Sequence, residues 1–409
     1  MASTISADFG FLRLPFWQFC QMNNGKYVFS QVADFLSFDD FNKLVKKYKG
    51  NYKIKTFSCW NQLLCMLFGQ LAKRESLSDL VTCLKTQHTK WYHLGLGSSI
   101  TKSNLAHANE VRDWRIYADY AYLLIAKARK VCVASSDFEL KIDGNVYAVD
   151  ATTIDLCLSV FWWAKFRKNK GAIKLHTQFD VKSNIPHFIH FSDGSIHDVN
   201  VMDILEYEQG SFYIFDKGYI DFKRLYNISQ NLAWFVTRPK DNMNYRRLYS
   251  NKVDKTTGVK IDQVIKLNNH YATKDYPDKI RLIKFYDETS DVDLEFITNN
   301  FLLEATEIAR LYKYRWSIEL FFKWIKQHLQ VQSFWGTSEN AVRIQIYTAI
   351  ITYCTVAIMK QNMKINHTNY EILQILSLTL LSKTHVNELF DEDYQQNFKE
   401  LEHNQLVLF

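Results

Sequence analysis

The sequence predicts a mixed α/β (α+β) chain in which a helical region precedes a sheet interrupted by helices, with helices again at the end. Three observations predict it. Apolar residues recur every three or four positions from Gln31 to about Lys130. After the turn signal Asp143-Gly144 the pattern changes to short apolar or alternating runs. Beyond Asn300 the helical period returns.

The runs QVADFLSFDDFNKLVKKY, SCWNQLLCMLFGQLAKRESLSDLVTCLK and SNLAHANEVRDWRIYADYAYLLIAKARKVC are helical, with Ser58 and Ser103 as N-caps and breaks at Gly50 and from Gly95 to Gly97. They form an all-helical N-terminal domain, residues 1–140. Within it Lys46, Lys47, Lys49, Lys53 and Lys55 gather near one turn, which suits either a DNA contact or a solvated basic loop.

Five strands follow in NVYAVD, GAIKLHTQFDV, IPHFIHFSDG, SFYIFD and LAWFVTRP. Helical segments are expected from Val201 to Glu208 and from Phe222 to Gln230. Three hairpin-connected strands followed by strand, helix and strand is the order of a ribonuclease-H-like sheet, in which the first and fourth strands are neighbours. Residues 239–300 read as a β-rich insertion with strands VKIDQVIKL, KIRLIKFYD and DVDLEFITN. A helix from Leu311 to Gln330 and a longer, mostly apolar one from Asn340 to Met363 complete a domain of residues 141–363, and residues 364–409 form a helical tail. The longer helix contains Arg343 and Gln345 and is read as buried core rather than a membrane span.

Composition narrows the function classes. An apolar content of 47% argues against a disordered chain, and no stretch of about 18 uninterrupted apolar residues occurs. The opening MASTISADFGFLRLPFW lacks a basic region followed by an apolar run, so neither a membrane contact nor a signal peptide is expected. Cys20, Cys59, Cys65, Cys83, Cys132, Cys157 and Cys354 are scattered and never in a CxxC pair, which fits free thiols rather than disulfides or a thiolate zinc site. The net charge of +7 permits a polyanionic partner.

The most informative stretch is LYKYRWSIELFFKWIKQHLQ. At about 100° per residue Tyr312, Arg315, Glu319 and Lys326 fall within an arc of about 60°, while Tyr314, Ile318, Phe322, Ile325 and Leu329 fill a neighbouring arc of about 80°. One arc can dock on a core while the other faces a cleft. Such a stripe is either the solvated face of an amphipathic helix or a carboxylate for a metal flanked by phosphate-binding groups. Asp150 ends the first predicted strand and Asp216 the fourth, so these carboxylates meet if the two strands are neighbours; taken singly, each is an ordinary turn former or cap. Three converging carboxylates provide the oxygen ligands that hard divalent cations prefer. The residues alone therefore predict a metal-binding, phosphate-facing cleft.

The spacing Tyr-x2-Arg-x3-Glu-x6-Lys resembles the signature of insertion-sequence transposases with a DDE catalytic triad. VDATTIDL around Asp150, FDKGY around Asp216 and FVTRPK after the fifth strand resemble that family's local patterns. KYVFSQVADFLSFDDFNKLVKKYKG is similar to an N-terminal domain common in one group of its members. The resemblance implies Asp150, Asp216 and Glu319 as catalytic metal ligands, two Mg²⁺ ions per site with Mn²⁺ as a substitute, and phosphate contacts by Tyr312, Arg315 and Lys326. It implies a protein that cuts the ends of its own element and joins them to target double-stranded DNA, acting as a homodimer in the cytoplasm on the nucleoid.

Further DNA contacts are expected from Lys217, Arg238 and the basic stretch FWWAKFRKNKGAIK, with Lys165, Arg167, Lys168, Lys170 and Lys174. The alternative for that stretch is a solvated hairpin with Trp162 and Trp163 packed. His176, His190 and His197 are not assigned to metal, and Asp198 is read as support behind the site or a helix cap. Lys217 stands where arginine is usual in the family, which removes a bidentate fork. In members of that family that cut through a DNA hairpin, an aromatic of the β-insertion holds a flipped base; no tryptophan lies between Trp234 and Trp316, so the resemblance implies that step only where Phe285, Phe296 or another aromatic takes its place. Two competing functions remain: a nuclease of the same fold that cuts without joining, and a DNA-binding protein that has lost catalysis, against which the retained Glu319 argues.

Overall fold

The computed structural model describes residues 25–97, 100–135, 138–156, 159, 161, 163–167, 170–328 and 334–391. Six helices come first: α1 (Val28–Ala33), α2 (Phe38–Lys47), α3 (Cys59–Leu71), α4 (Leu77–Thr86), α5 (Lys102–Val111) and α6 (Arg115–Cys132). Each of the three periodic runs divides into two helices, and in the first two a capping serine, Ser37 or Ser76, marks the break. Ser37, Ser58 and Ser76 accept from Asp40, Asn61 and Asp79 N–H and start α2, α3 and α4. The cap of α5 is Thr101, which accepts from Asn104 N–H, and not Ser103, which lies within the first turn. No strand precedes Val146 among the described residues.

Ten strands follow: β1 (Val146–Leu156), β2 (Lys165–Arg167), β3 (Lys170–Asp180), β4 (Ile185–Asp193), β5 (Phe212–Phe215), β6 (Trp234–Thr237), β7 (Tyr245–Ser250), β8 (Val259–Leu267), β9 (Ile280–Asp287) and β10 (Val292–Thr298). They form one mixed sheet in the order β2-β3-β1-β5-β6-β10-β9-β8-β7, with β4 also paired to β3. The β1–β3 and β3–β4 pairs are antiparallel, and β1–β5 and β5–β6 are parallel. The connection between β5 and β6 is α7 (Phe222–Gln230), capped by Asp221 and coincident with the expected helix.

One local expectation is corrected and the reading of residues 239–300 is extended. Where a helix was expected from Val201 to Glu208 there is a 3-10 turn, Asp198–Asp203. Glu208 is drawn instead to the strand bases: Asn145 Nδ2 and Tyr147 Oη donate to its carboxylate at 2.7 and 2.9 Å, and its N–H donates to Tyr213 Oη at 2.8 Å. The β-rich insertion is a continuation of the main sheet, because β10 pairs antiparallel with β6 (Ile297↔Thr237, Thr298↔Val236). β7, within that insertion, escapes sequence reading because its residues are almost all exposed and lack a buried alternate face.

The expected single helix from Leu311 to Gln330 is two, α9 (Ala305–Lys313) and α10 (Trp316–His328), after the short α8 (His270–Asp275). At the junction the N–H groups of Tyr314, Arg315, Ser317 and Ile318 bond carbonyls three residues back, a tightened turn. Tyr314 is held there by Phe138, with ring centroids 4.8 Å apart, and by Glu139 N–H at 3.2 Å. The chain then forms α11 (Glu339–Asn362) and α12 (Asn369–Thr379). α11 is long and apolar enough to cross a membrane, but 94% of its apolar window is buried inside the molecule. Its Thr348, Thr352 and Thr355 hydroxyls donate to carbonyls four residues back at 2.7–2.8 Å, so few polar groups are stranded in that core. The part of the expected tail beyond Asp391 lies outside the described residues.

Candidate active site

The site begins with strand alternation. Ala148, Ile214 and Val236 belong to the core beneath α10 and α11, whereas Val149, Phe215 and Phe235 belong to the core around α7. With side chains alternating, Asp150, Asp216 and Arg238 fall on the α10 side. The parallel register pairs Val149 with Phe215, and the next residues of the two strands are Asp150 and Asp216. Asp150 does not end its strand, as the sequence suggested. β1 runs on to Leu156 against β3, and it is the pairing with β5 that stops before Asp150, because Asp216 leaves the ladder to start the 3-10 turn Lys217–Tyr219.

α10 crosses above β1. Ile318, Phe321, Phe322, Trp324 and Ile325 are buried, with Phe321 against Phe179 of β3 at 5.1 Å and Tyr353 of α11 at 5.1 Å. The apolar face is thus wider than the expected arc, as befits a helix covered by both the sheet and α11. Glu319 is brought towards Asp150 through Arg315, whose Nη2 lies 2.5 Å from Glu319 Oε1 and whose Nη1 lies 3.6 Å from Asp150 Oδ2. The tightened turn before Trp316 allows Arg315 to reach both.

Burial pushes the Asp150 carboxyl up to about 6, with the negative charges of Asp216 and Glu319 adding to the rise. The Ala151 N–H, which donates to Asp150 Oδ1 at 2.8 Å, and the Arg315 guanidinium act in the opposite direction. Tyr312 packs at a tilt against Phe296 of β10, ring centroids 4.9 Å apart, and burial raises its phenol; Arg315, Asp216 and Arg238 are the charges around it. Lys326 Nζ donates to the Thr153 carbonyl of β1 at 2.7 Å and is pushed down by burial. It therefore fastens α10 to β1 in this conformation.

The remaining expected residues are more dispersed. Lys217 is exposed beside Asp216 and Arg238 is half-buried at the end of β6. Lys174 is taken up internally, 3.0 Å from Asp198 Oδ1 and donating to the Ile196 carbonyl at 2.7 Å. Asp198 is accordingly a partner of Lys174. Lys165 and Arg167 lie on β2 and Lys170 begins β3, while Lys168 and Trp162 lie outside the described residues. Trp163 packs, its indole N–H donating to the Thr337 carbonyl at 2.8 Å. Phe296 is fully buried under Tyr312 and cannot protrude as a wedge; Phe285 is partly buried against the core. His176 is buried, with Nε2 2.7 Å from Ser192 Oγ.

Sequence reasoning passed over Tyr219. Its phenol is 3% exposed, has no hydrogen-bond partner among the described residues, and is raised by burial together with the charges of Asp150, Asp198 and Asp216. The only signal was its place in FDKGY, which says nothing of depth.

Residues 141–355 match the family model described as a transposase DDE domain, and residues 24–97 match a domain of unknown function. The chain is 31% identical over 280 residues to a Sinorhizobium fredii protein named "Putative transposase y4zB", covering 68% of this chain and 75% of that one. It is 28% identical to the "Probable transposase for insertion sequence element IS5377" of Geobacillus stearothermophilus, over 56% of this chain and 60% of the other. A third relative, from Synechocystis, is named "Putative transposase for insertion sequence element IS4SA" and is 25% identical over 63% of this chain and 71% of its own. With the family model spanning more than half of its length, the chain belongs to the DDE transposases.

Proposed function

We propose that this transposase cleaves the ends of its own insertion sequence and joins them to target DNA by metal-dependent hydrolysis and strand transfer, with Asp150, Asp216 and Glu319 as the catalytic carboxylates. The observation that carries the reading is the meeting of Asp150 and Asp216 at the ends of paired parallel segments, with Glu319 tied to Asp150 through one guanidinium. The strands β4-β3-β1-β5-β6 form the ribonuclease-H-like core in this reading, and residues 1–140 form a helical domain that holds DNA.

The donor set fits Mg²⁺, or Mn²⁺ in its place, in chemistry: three carboxylates and no soft ligand, one of them, Asp150, buried with two like charges near it and one guanidinium against it. No group of three His, Cys, Asp or Glu side chains stands at ligand spacing among the described residues, and Arg315 competes for the oxygens of Asp150 and Glu319. When bound, a pair of divalent ions activates the attacking oxygen and stabilises the leaving one. The chain's own part is positioning. Arg315 aims Glu319 at Asp150 and, with Tyr312, Arg238 and Lys217, faces the phosphates; Lys326 exchanges its bond to Thr153 for a phosphate oxygen when DNA arrives. Two DNA ends call for a homodimer in the complex.

The test is Mg²⁺-dependent cleavage of DNA bearing the element's ends by wild type and Glu319→Gln. Wild type is expected to cut and to yield joined products, whereas the variant binds the same DNA and does not cut. Equal cutting by both removes Glu319 from the ligand set.

A further inference from the structure

Beneath α10 the third strand carries a hydroxyl where its pattern calls for a hydrocarbon. Ile173, Leu175 and Phe179 of β3 belong to the core under α10, and alternation puts Thr177 in the same row. A fourth apolar residue would continue that row; threonine instead takes a hydroxyl to a position only 1% exposed. Antiparallel pairing sets Thr177 directly opposite Asp150 of β1 on one side and Ile189 of β4 on the other. Side chains so opposed begin about 4.5–5.5 Å apart at Cβ, within reach of a hydrogen bond between their ends. Leu175, Phe179 and Ile189 are apolar, so Asp150 is the one acceptor side chain at the four nearest positions of the sheet face. The Thr177 hydroxyl nevertheless has no hydrogen-bond partner among the described residues.

A buried hydroxyl left unpaired weakens the fold, and native chains seldom keep one without a use for it. The carboxylate opposite is engaged elsewhere: Asp150 Oδ1 accepts from Ala151 N–H at 2.8 Å, and Oδ2 lies 3.6 Å from Arg315 Nη1. The same guanidinium holds Glu319. For these carboxylates to take a divalent cation Arg315 must give way, and Asp150 then loses the side chain that aims it. Carboxylates that ligate metals are themselves oriented by hydrogen bonds from the residues behind them. We propose that Thr177 is a positioning residue whose hydroxyl donates to Asp150 once Arg315 withdraws, fixing the carboxylate for a divalent cation. This role rests on the reading of Asp150 as a metal ligand and adds to it the residue that aims the ligand.

The test pairs Mn²⁺ binding by the full chain without DNA, followed through the electron paramagnetic resonance of the free ion, with thermal unfolding in EDTA. Thr177→Val keeps the branched shape and removes the hydroxyl, Thr177→Ser keeps the hydroxyl, and Asp150→Asn is the control. Thr177→Val should bind Mn²⁺ about 10-fold more weakly, the loss usual when a residue behind a ligand is removed, while Thr177→Ser stays close to wild type. In EDTA Thr177→Val should melt at or above the wild-type temperature, because no bond is lost and an unpaired buried hydroxyl is gone. A lower melting temperature overturns the role, since the hydroxyl is then already spent on a partner in the metal-free chain. Wild-type Mn²⁺ affinity in Thr177→Val, with binding lost in Asp150→Asn, also overturns it and leaves the carboxylates in place. Loss of affinity in Thr177→Ser equal to that in Thr177→Val overturns it as well, by assigning the effect to shape. Wild type that binds no Mn²⁺, or Asp150→Asn that binds it as tightly as wild type, removes the metal reading of Asp150 and the role of Thr177 together.

Discussion

Asp150→Asn should stabilise the metal-free chain. The carboxyl is raised from an ordinary 3.8 to about 6, chiefly by burial, so the folded state holds this proton more tightly than the unfolded state does. For an acid displaced in that direction, stability is undiminished below the unfolded value, falls as pH rises from about 4 to about 6, and stays reduced above that. The displacement corresponds to about 3 kcal/mol at neutral pH, an upper bound because Asp150 retains 23% exposure. Asparagine keeps the size and the acceptor for the Ala151 N–H but carries no charge to bury. For a chain of 409 residues that free energy is worth about 3–4 °C in Tm. The assay is thermal unfolding in EDTA from pH 4 to pH 8. The variant should melt higher at pH 7.5, with the gap closing as pH falls through 6. A variant no more stable than wild type at pH 7.5 refutes the reasoning, for it would mean that Arg315 already compensates the burial of Asp150.

Two further predictions concern the scaffold. Arg281 and Asp262 form a buried pair at 2.9 Å between β8 and β9, with side chains 6% and 7% exposed, and Arg281 also donates to the Leu303 carbonyl. Arg281→Ala should cost about 3–5 kcal/mol by leaving Asp262 charged and unpaired, read as a lower urea midpoint. Gly69 of α3 faces the Trp335 indole so closely that an added Cβ would overlap it, so Gly69→Ala should cost about 1–3 kcal/mol, measured in the same way, despite alanine's better helix propensity.

Much of this architecture was legible because local chemistry repeats locally. The helical periods, the cap at Ser58, the helix Phe222–Gln230 and the strand runs each depend on residues within a few positions of one another. The Ser103 cap and the Val201–Glu208 helix failed where a nearby alternative was stronger: Thr101 offered a hydroxyl two residues earlier, and Tyr147 and Asn145 captured Glu208 from another strand. The continuous helix from Leu311 failed for a related reason. Its polar and apolar arcs were correctly periodic, but the turn at Tyr314 and Arg315 is set by Phe138 and Asp150, which are far away in sequence.

The sequence by itself determined which residue types were available: the stripe of Tyr312, Arg315, Glu319 and Lys326, two aspartates beside apolar strands, and a buried apolar helix near the end. The tertiary structure alone decided that Asp150 and Asp216 stand side by side, that Arg315 joins Asp150 to Glu319, that Lys174 is spent on Asp198, and that the insertion extends the main sheet. The physical reason is that periodicity fixes the face of an element on which a side chain lies, whereas strand register and ion pairing are settled between segments distant in the chain by competition among hydrogen bonds and buried charges.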